Sequence, residues 1–179
     1  EEIDHGTFNS IVDSLVKARR IYIIGVRSSA SLAGFLGFYL NLIVEDVRVV
    51  QTTSTSEMFE QVLYADERDV VIGISFPRYS RRTIKAMQYV KSQGATVVAI
   101  TDSYESPLAA FADHCLIARS DMASFVDSLV APLSVINALL VALASRKKEY
   151  VYKTFEKLEQ IWDEYDVYEK HDKPEVNKE

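Results

Sequence analysis

A single cysteine, Cys115, stands in 179 residues, so no disulfide within the chain can staple the fold, and a reducing compartment suits it. No charged-then-apolar leader opens the sequence, and the cytoplasm is the expected location. Positive charge is scarce as well. Against 26 Asp and Glu there are 20 Lys and Arg, a formal net charge of −6, the reverse of the basic stripe with which nucleic-acid binders cover phosphates. Contact with DNA would have to come from a separate segment. Long apolar runs are missing: the most apolar stretch, residues 129–144, is broken by Pro132, Ser134 and Asn137 and falls short of the roughly 20 residues of a membrane span. It reads as a buried helix, and no membrane partner is expected. Glycine is sparse. Of a G-x-G-x-x-G fingerprint only Gly25 is present, with Arg27 and Ala30 in the other glycine places, which disfavours a nicotinamide or flavin site; no cofactor is expected. Neither a P-loop lysine pattern nor a Cys/His cluster occurs, so nucleotide hydrolysis and a metal site lack support. Of the three histidines, His5 and His171 lie near the ends, and His114 sits beside Cys115 at the start of an apolar run, where it reads as a core residue.

What is present is an alternation. Short β-branched runs occur at 21–25, 47–50, 70–75 and 96–101, with a weaker one at 114–118. The first, third and fourth are nearly continuous apolar runs, the pattern of strands buried on both faces of a parallel sheet. Helical spacing lies between them: Leu32, Phe35, Leu36, Tyr39, Leu40 and Ile43 within 29–43, and Ile84, Met87 and Val90 within 80–93, with Gly94 as a stop. Such alternation specifies right-handed crossovers. The expected fold is α/β: a doubly wound five-stranded parallel sheet of order 2-1-3-4-5, flavodoxin-like, flanked by helices as a three-layer sandwich.

The content of 48% hydrophobic residues in a chain of this length fits one domain. The expected organisation is a unit over 1–168, with an N-terminal helix over 3–19, an α/β core over 20–145 and a C-terminal helix over 150–168, then a charged, flexible tail over 169–179. The opening Glu1-Glu2-Ile3 has no initiator methionine, as expected of a piece of a longer protein. In the last helix Val151, Phe155, Leu158, Trp162 and Tyr165 form a heptad-like seam. That seam fits either packing on the domain's own sheet or a subunit contact, and with the apolar helix before it points to a homodimer.

In an open parallel sheet the ligand crevice forms at the carboxyl ends of the strands where their order reverses, here between strands 1 and 3. The loops there are Gly25-Val26-Arg27-Ser28-Ser29-Ala30-Ser31 and Ser75-Phe76-Pro77-Arg78-Tyr79-Ser80-Arg81-Arg82-Thr83. Each runs into a helix N-terminus, whose backbone N–H groups and partial positive charge suit a phosphate. Hydroxyls and Arg27, Arg78, Arg81 and Arg82 concentrate donors and positive charge in an otherwise acidic chain. Ser28 or Ser80 could equally serve as a helix cap, but two such loops at one reversal point favour a ligand site, where Gly25 would let backbone approach the ligand.

At these residues the chain resembles the sugar isomerase (SIS) domain, most closely the effector-binding C-terminal part of RpiR-type bacterial transcriptional regulators. The resemblance runs over about residues 8–150 and is carried by the motif from Ile21 through Ser29, by the one from Ile74 through Thr83, and by Ala99-Ile100-Thr101-Asp102. It implies a sugar-phosphate ligand, a homo-oligomer (dimer or tetramer), and DNA binding only through a separate N-terminal helix-turn-helix domain. By position, Ser28 and Ser29 match the hydroxyl pair after the first strand, and Ser75 and Ser80 match the first serine and the threonine of the family's S-x-S-G-x-T phosphate loop. Pro77 and Arg78 depart from it. The departure removes a hydroxyl and a backbone donor; at about 1.5–3 kcal/mol for a hydrogen bond to a charged group, the loss weakens phosphate binding about ten- to a hundredfold unless compensated. Either Arg78, able to grip phosphate bidentately, compensates, which is the favoured reading, or the ligand is not an ordinary hexose phosphate. The expected ligand residues are Arg27, Ser28, Ser29, Ser75, Arg78, Tyr79, Ser80 and Thr83.

Three functions compete. A non-catalytic sensor comes first, because isomerisation needs an acid–base pair that this chain supplies poorly. A phosphosugar isomerase is second, with Glu57 as its candidate base, although Glu57 also reads as an ordinary first-turn glutamate after a Ser or Thr cap. An oligomerisation module with a decayed ligand site, motivated by Pro77 and the aromatic seam, is third.

Overall fold

The computed structural model describes residues 4–120 and 126–169. The chain folds as α1 (His5–Lys17), β1 (Arg20–Gly25), α2 (Ser28–Leu40), β2 (Val47–Val50), α3 (Thr55–Val62), β3 (Asp69–Ile74), α4 (Arg81–Ser92), β4 (Thr96–Thr101), a 3-10 turn (Ala109–Phe111), β5 (His114–Ile117), α5 (Val130–Arg146) and α6 (Lys148–Glu164). The five strands are parallel in the order β2-β1-β3-β4-β5, as the alternation of apolar runs and helical stripes requires. Strand periodicity divides the core in two. Ile21, Ile23, Ile72 and Ile100 face α1, α2 and α5 through Ile11, Leu15, Leu36 and Leu139. Tyr22, Ile24, Val71 and Val97 face α3 and α4 through Met58, Met87 and Val90.

Polar contacts hold the strand starts in register. Buried Asp69 accepts a fork of hydrogen bonds from Arg19, at 2.9 and 2.6 Å, and a third from the Asp66 N–H at 3.0 Å. Beside it, Arg20 at the start of β1 donates to Asp46 ahead of β2 at 2.6 Å. Helices α1, α3 and α4 start on side-chain caps: Asp4 accepts from the Thr7 N–H, Ser54 from the Glu57 N–H and Ser80 from the Thr83 N–H.

Several elements differ from expectation. The apolar spacing ran to Ile43, yet α2 ends at Leu40, where Asn41 donates its side-chain amide to the Gly37 carbonyl at 2.8 Å; Ile43 and Val44 are buried just beyond it. His114 is not a core residue. It is only half-buried, because β5 is the edge strand. α5 is apolar nearly all round and buries Ile136, Leu139 and Leu143, but its other side leaves Val130 and Val141 open to solvent. α6 turns away from α5 by 96° and has no buried residue. The expected helix start at Ile3 and the tail from Lys170 onward lie outside the described residues. Among those described, no single helix is long and apolar enough to cross a membrane.

Candidate functional site

At the carboxyl ends of β1 and β3 the two loops face one another across a cavity of about 430 Å³. Arg27, Ser28, Ser29, Ser75, Arg78, Tyr79 and Ser80 all line it, with Arg82 and Asp127 alongside. Thr83 does not: its side chain is fully buried within α4, its hydroxyl has no hydrogen-bond partner, and only its N–H takes part in the loop, as the donor to Ser80 Oγ at 3.3 Å.

The first loop is a tight turn. The Ser29 N–H donates to the Val26 carbonyl at 3.2 Å, which puts Arg27 at a φ of 57° and ψ of −126°, a backbone region that only glycine enters cheaply. Gly25 precedes it for a packing reason. A Cβ there would stand 2.5 Å from the Ser29 carbonyl oxygen and 3.0 Å from Ala33 Cβ, so the missing side chain lets the first turn of α2 close onto the strand. The expected role, ligand approach, gives way to helix approach.

The second loop is braced from inside. Ser75 and Ser80 tie its ends together, the Ser80 N–H donating to Ser75 Oγ at 3.2 Å, and Ser80 then caps α4. Between them Arg78 has a φ of 69°, so each loop carries one arginine in left-handed backbone. Tyr79 donates its hydroxyl to Asp102 at the end of β4, at 2.8 Å; burial first, and then that hydrogen bond, push its pKa up to about 12. Tyr79 thus stays a protonated donor pinning the loop to the sheet. Arg82 is held by the Thr53 carbonyl in the β2–α3 connection.

Of the two serines that could cap a helix, only Ser80 does. The residue ahead of α2, Arg27, makes no side-chain cap, and the Ser28 hydroxyl donates instead to Asp127 at 2.7 Å. Asp127 stands also 3.8 Å from the Arg78 guanidinium. The sequence reading missed it, since nothing in its local context distinguishes a carboxylate that reaches the loops from 99 residues away.

Glu57 is elsewhere. Its carboxylate accepts the Thr52 hydroxyl and its N–H is capped by Ser54, and it does not line the cavity. The lining contains no histidine, and no cluster of metal-ligating side chains occurs among the described residues. Among the described residues the arrangement is one of neutral hydroxyls and three arginines set against one carboxylate, an anion-binding geometry.

A profile of the SIS domain matches residues 14–142. The chain belongs to the SIS domain family. Among curated proteins this SIS domain is similar to an uncharacterized HTH-type transcriptional regulator of Haemophilus influenzae, 28% identical over 159 residues that make up 87% of this chain and 54% of that protein. The chain spans about half, or less, of the length of the curated relatives it matches. Among solved structures it is similar to the sugar isomerase domain of an RpiR transcription factor from Sphaerobacter thermophilus, with a TM-score of 0.83 and 27% identity over 88% of this chain and 87% of that one. The Vibrio vulnificus NanR protein complexed with ManNAc-6P shares the fold, with a TM-score of 0.78 and 20% identity over 91% of this chain and 62% of that one.

Proposed function

We propose that this SIS domain is the effector-binding part of an RpiR-type bacterial transcriptional regulator, its cavity taking the phosphate of a sugar phosphate. The observation that carries the reading is the meeting of both hydroxyl loops, each with its arginine, around one cavity at the strand-order reversal. The likeness to HTH-type and RpiR regulators supports the regulatory half of the proposal, and the phosphosugar held by a protein of the same fold supports the chemical half. In this reading DNA is bound through a separate N-terminal domain of the longer protein, in the cytoplasm, by a homo-oligomer. A groove of about 350 Å³ lined by Phe35, Tyr39, Leu140, Val141, Val151 and Phe155 favours a dimer formed through α2, α5 and α6.

The SIS fold serves regulators and phosphosugar isomerases alike. Turnover is not part of the proposal, because Glu57 is engaged by Thr52 outside the cavity. A thermal-shift screen against hexose 6-phosphates tests the reading: a ligand at about 100 times its Kd adds about 2.7 kcal/mol. Ser29→Ala and Ser80→Ala should lose that ligand-induced shift, although Ser80→Ala will start from a lower melting point through its lost cap. A screen with no shift for any phosphosugar rules the reading out, and conversion of fructose 6-phosphate would replace it with the enzyme.

A further inference from the structure

Among the described residues of the cavity wall, Asp127 is the group that opposes an anion. The Asp127 carboxylate, on a side chain 24% exposed, is shared between the two arms of the site: one oxygen accepts the Ser28 hydroxyl at 2.7 Å and the other stands 3.8 Å from Arg78. A serine has a single O–H to donate. While that hydroxyl points at Asp127 it cannot point at a phosphate oxygen, so the Ser28 hydroxyl serves the carboxylate or the ligand and not both. Arg78 is drawn in the same direction, being a cation of the second loop within ion-pair distance of Asp127. Asp127 also occupies a sensitive place in the fold. It precedes the first residue of α5, Val130, by three positions, and α5 packs against both α1 and α2.

We infer that Asp127 is a tethered competitor for the anionic ligand: its carboxylate holds Ser28 and Arg78, the ligand's phosphate takes them over, and the released Asp127 carries the exchange into the start of α5. The inference rests on the phosphosugar reading of the cavity and adds to it a specificity and an output. A phosphate of charge about −1.5 to −2 outcompetes the single charge of a carboxylate for the same donors, so the site selects phosphorylated sugars over sugar acids. Binding is also weaker than the arginines alone would allow, which keeps the site responsive to changes in ligand concentration.

The test is a double-mutant cycle read by calorimetric titration of inorganic phosphate and of glucose 6-phosphate into wild type, Asp127→Ala, Ser28→Ala and the double variant. The competitor predicts that Asp127→Ala binds both probes roughly tenfold more tightly, about 1.4 kcal/mol, and that the gain shrinks to about twofold or less when Ser28 is already alanine. An equal gain in both backgrounds overturns it, because removing a nearby negative charge would then suffice. Weaker glucose 6-phosphate binding with unchanged inorganic phosphate overturns it too, making Asp127 a contact for sugar hydroxyls. Wild-type binding without any gain in Asp127→Ala defeats the competitor alone; silence of every chain, wild type included, defeats the phosphosugar reading and the competitor with it. Hydrogen exchange at the start of α5 supplies the output: phosphate should change it in wild type and leave it unchanged in Asp127→Ala, and an unresponsive wild type removes the link to α5.

Discussion

Arginine stands at positions 27 and 78 where the backbone favours glycine. A non-glycine residue in such a region costs about 1–3 kcal/mol, a cost met in both loops of one cavity. Arg27→Gly and Arg78→Gly should therefore each leave the fold as stable or more so, by up to about 1 kcal/mol after glycine's greater freedom in the unfolded chain is counted. For a chain of this size that is a rise of about 2–4 °C in Tm. The same substitutions remove a guanidinium from the anion site and should weaken phosphate roughly tenfold each. Melting curves with and without phosphate read both effects. A variant that loses stability and keeps affinity would show that the arginine serves the loop and not the ligand. The sequence named both arginines as cations of the site, but it could not show their backbone, because left-handed φ at a non-glycine residue is imposed by the turn around it.

At the scale of elements, the junction of β1 and α2 is the tightest point of the site's framework. Gly25 allows the Ser29 carbonyl to approach to a distance that a Cβ would violate at 2.5 Å, and the obstacle is backbone that cannot swing aside. Gly25→Ala should destabilise by about 2 kcal/mol, and should disturb Ser28 and Ser29 and so take phosphate affinity with it; urea unfolding and calorimetry measure the two separately. An unchanged midpoint would mean that α2 shifts without cost. Strands and helices were legible in the sequence to within a few residues because their faces are set by burial: Ile21 and Ile23 to one layer, Tyr22 and Ile24 to the other. The end of α2 was less so, since the apolar stripe runs on through Ile43 and Val44, which the core takes up as turn residues once Asn41 has closed the helix. His114 was misplaced for a related reason. An apolar run does not say which strand is at the edge, and β5, with no neighbour beyond it, is left partly buried.

For the whole molecule, an apolar side stands open where α5 and α6 diverge. Val141 is 67% exposed and Phe155 40%, and both line the groove that α2 completes. A protein that buries this side against a second copy should sediment as a dimer. Val141→Lys should shift it to monomer with little loss of fold, since the substituted side chain is already in solvent. Sedimentation velocity decides, and a monomeric wild type, or a dimer indifferent to Val141→Lys, removes this surface from the account. The seam along α6 could be read from the spacing of Val151, Phe155, Leu158, Trp162 and Tyr165, whereas the choice between packing inward and outward could not. That choice depends on the 96° bend after α5, which no periodicity encodes. Asp127 belongs to the same class of missed features. Its meaning is an encounter between segments 99 residues apart, and periodicity carries no information about such meetings.

The left-handed arginines have a consequence for how the domain can change over generations. Arginine and glycine codons differ by a single base in most cases, so the one substitution that the backbone at 27 and 78 accepts without strain is also among the nearest in mutational terms. In the proposed reading, each such step should give up ligand affinity for stability, and its reversal should restore the affinity. Two positions with that property would give lineages of this protein a pair of one-step dials on sensitivity, adjustable without touching the serines or the sheet.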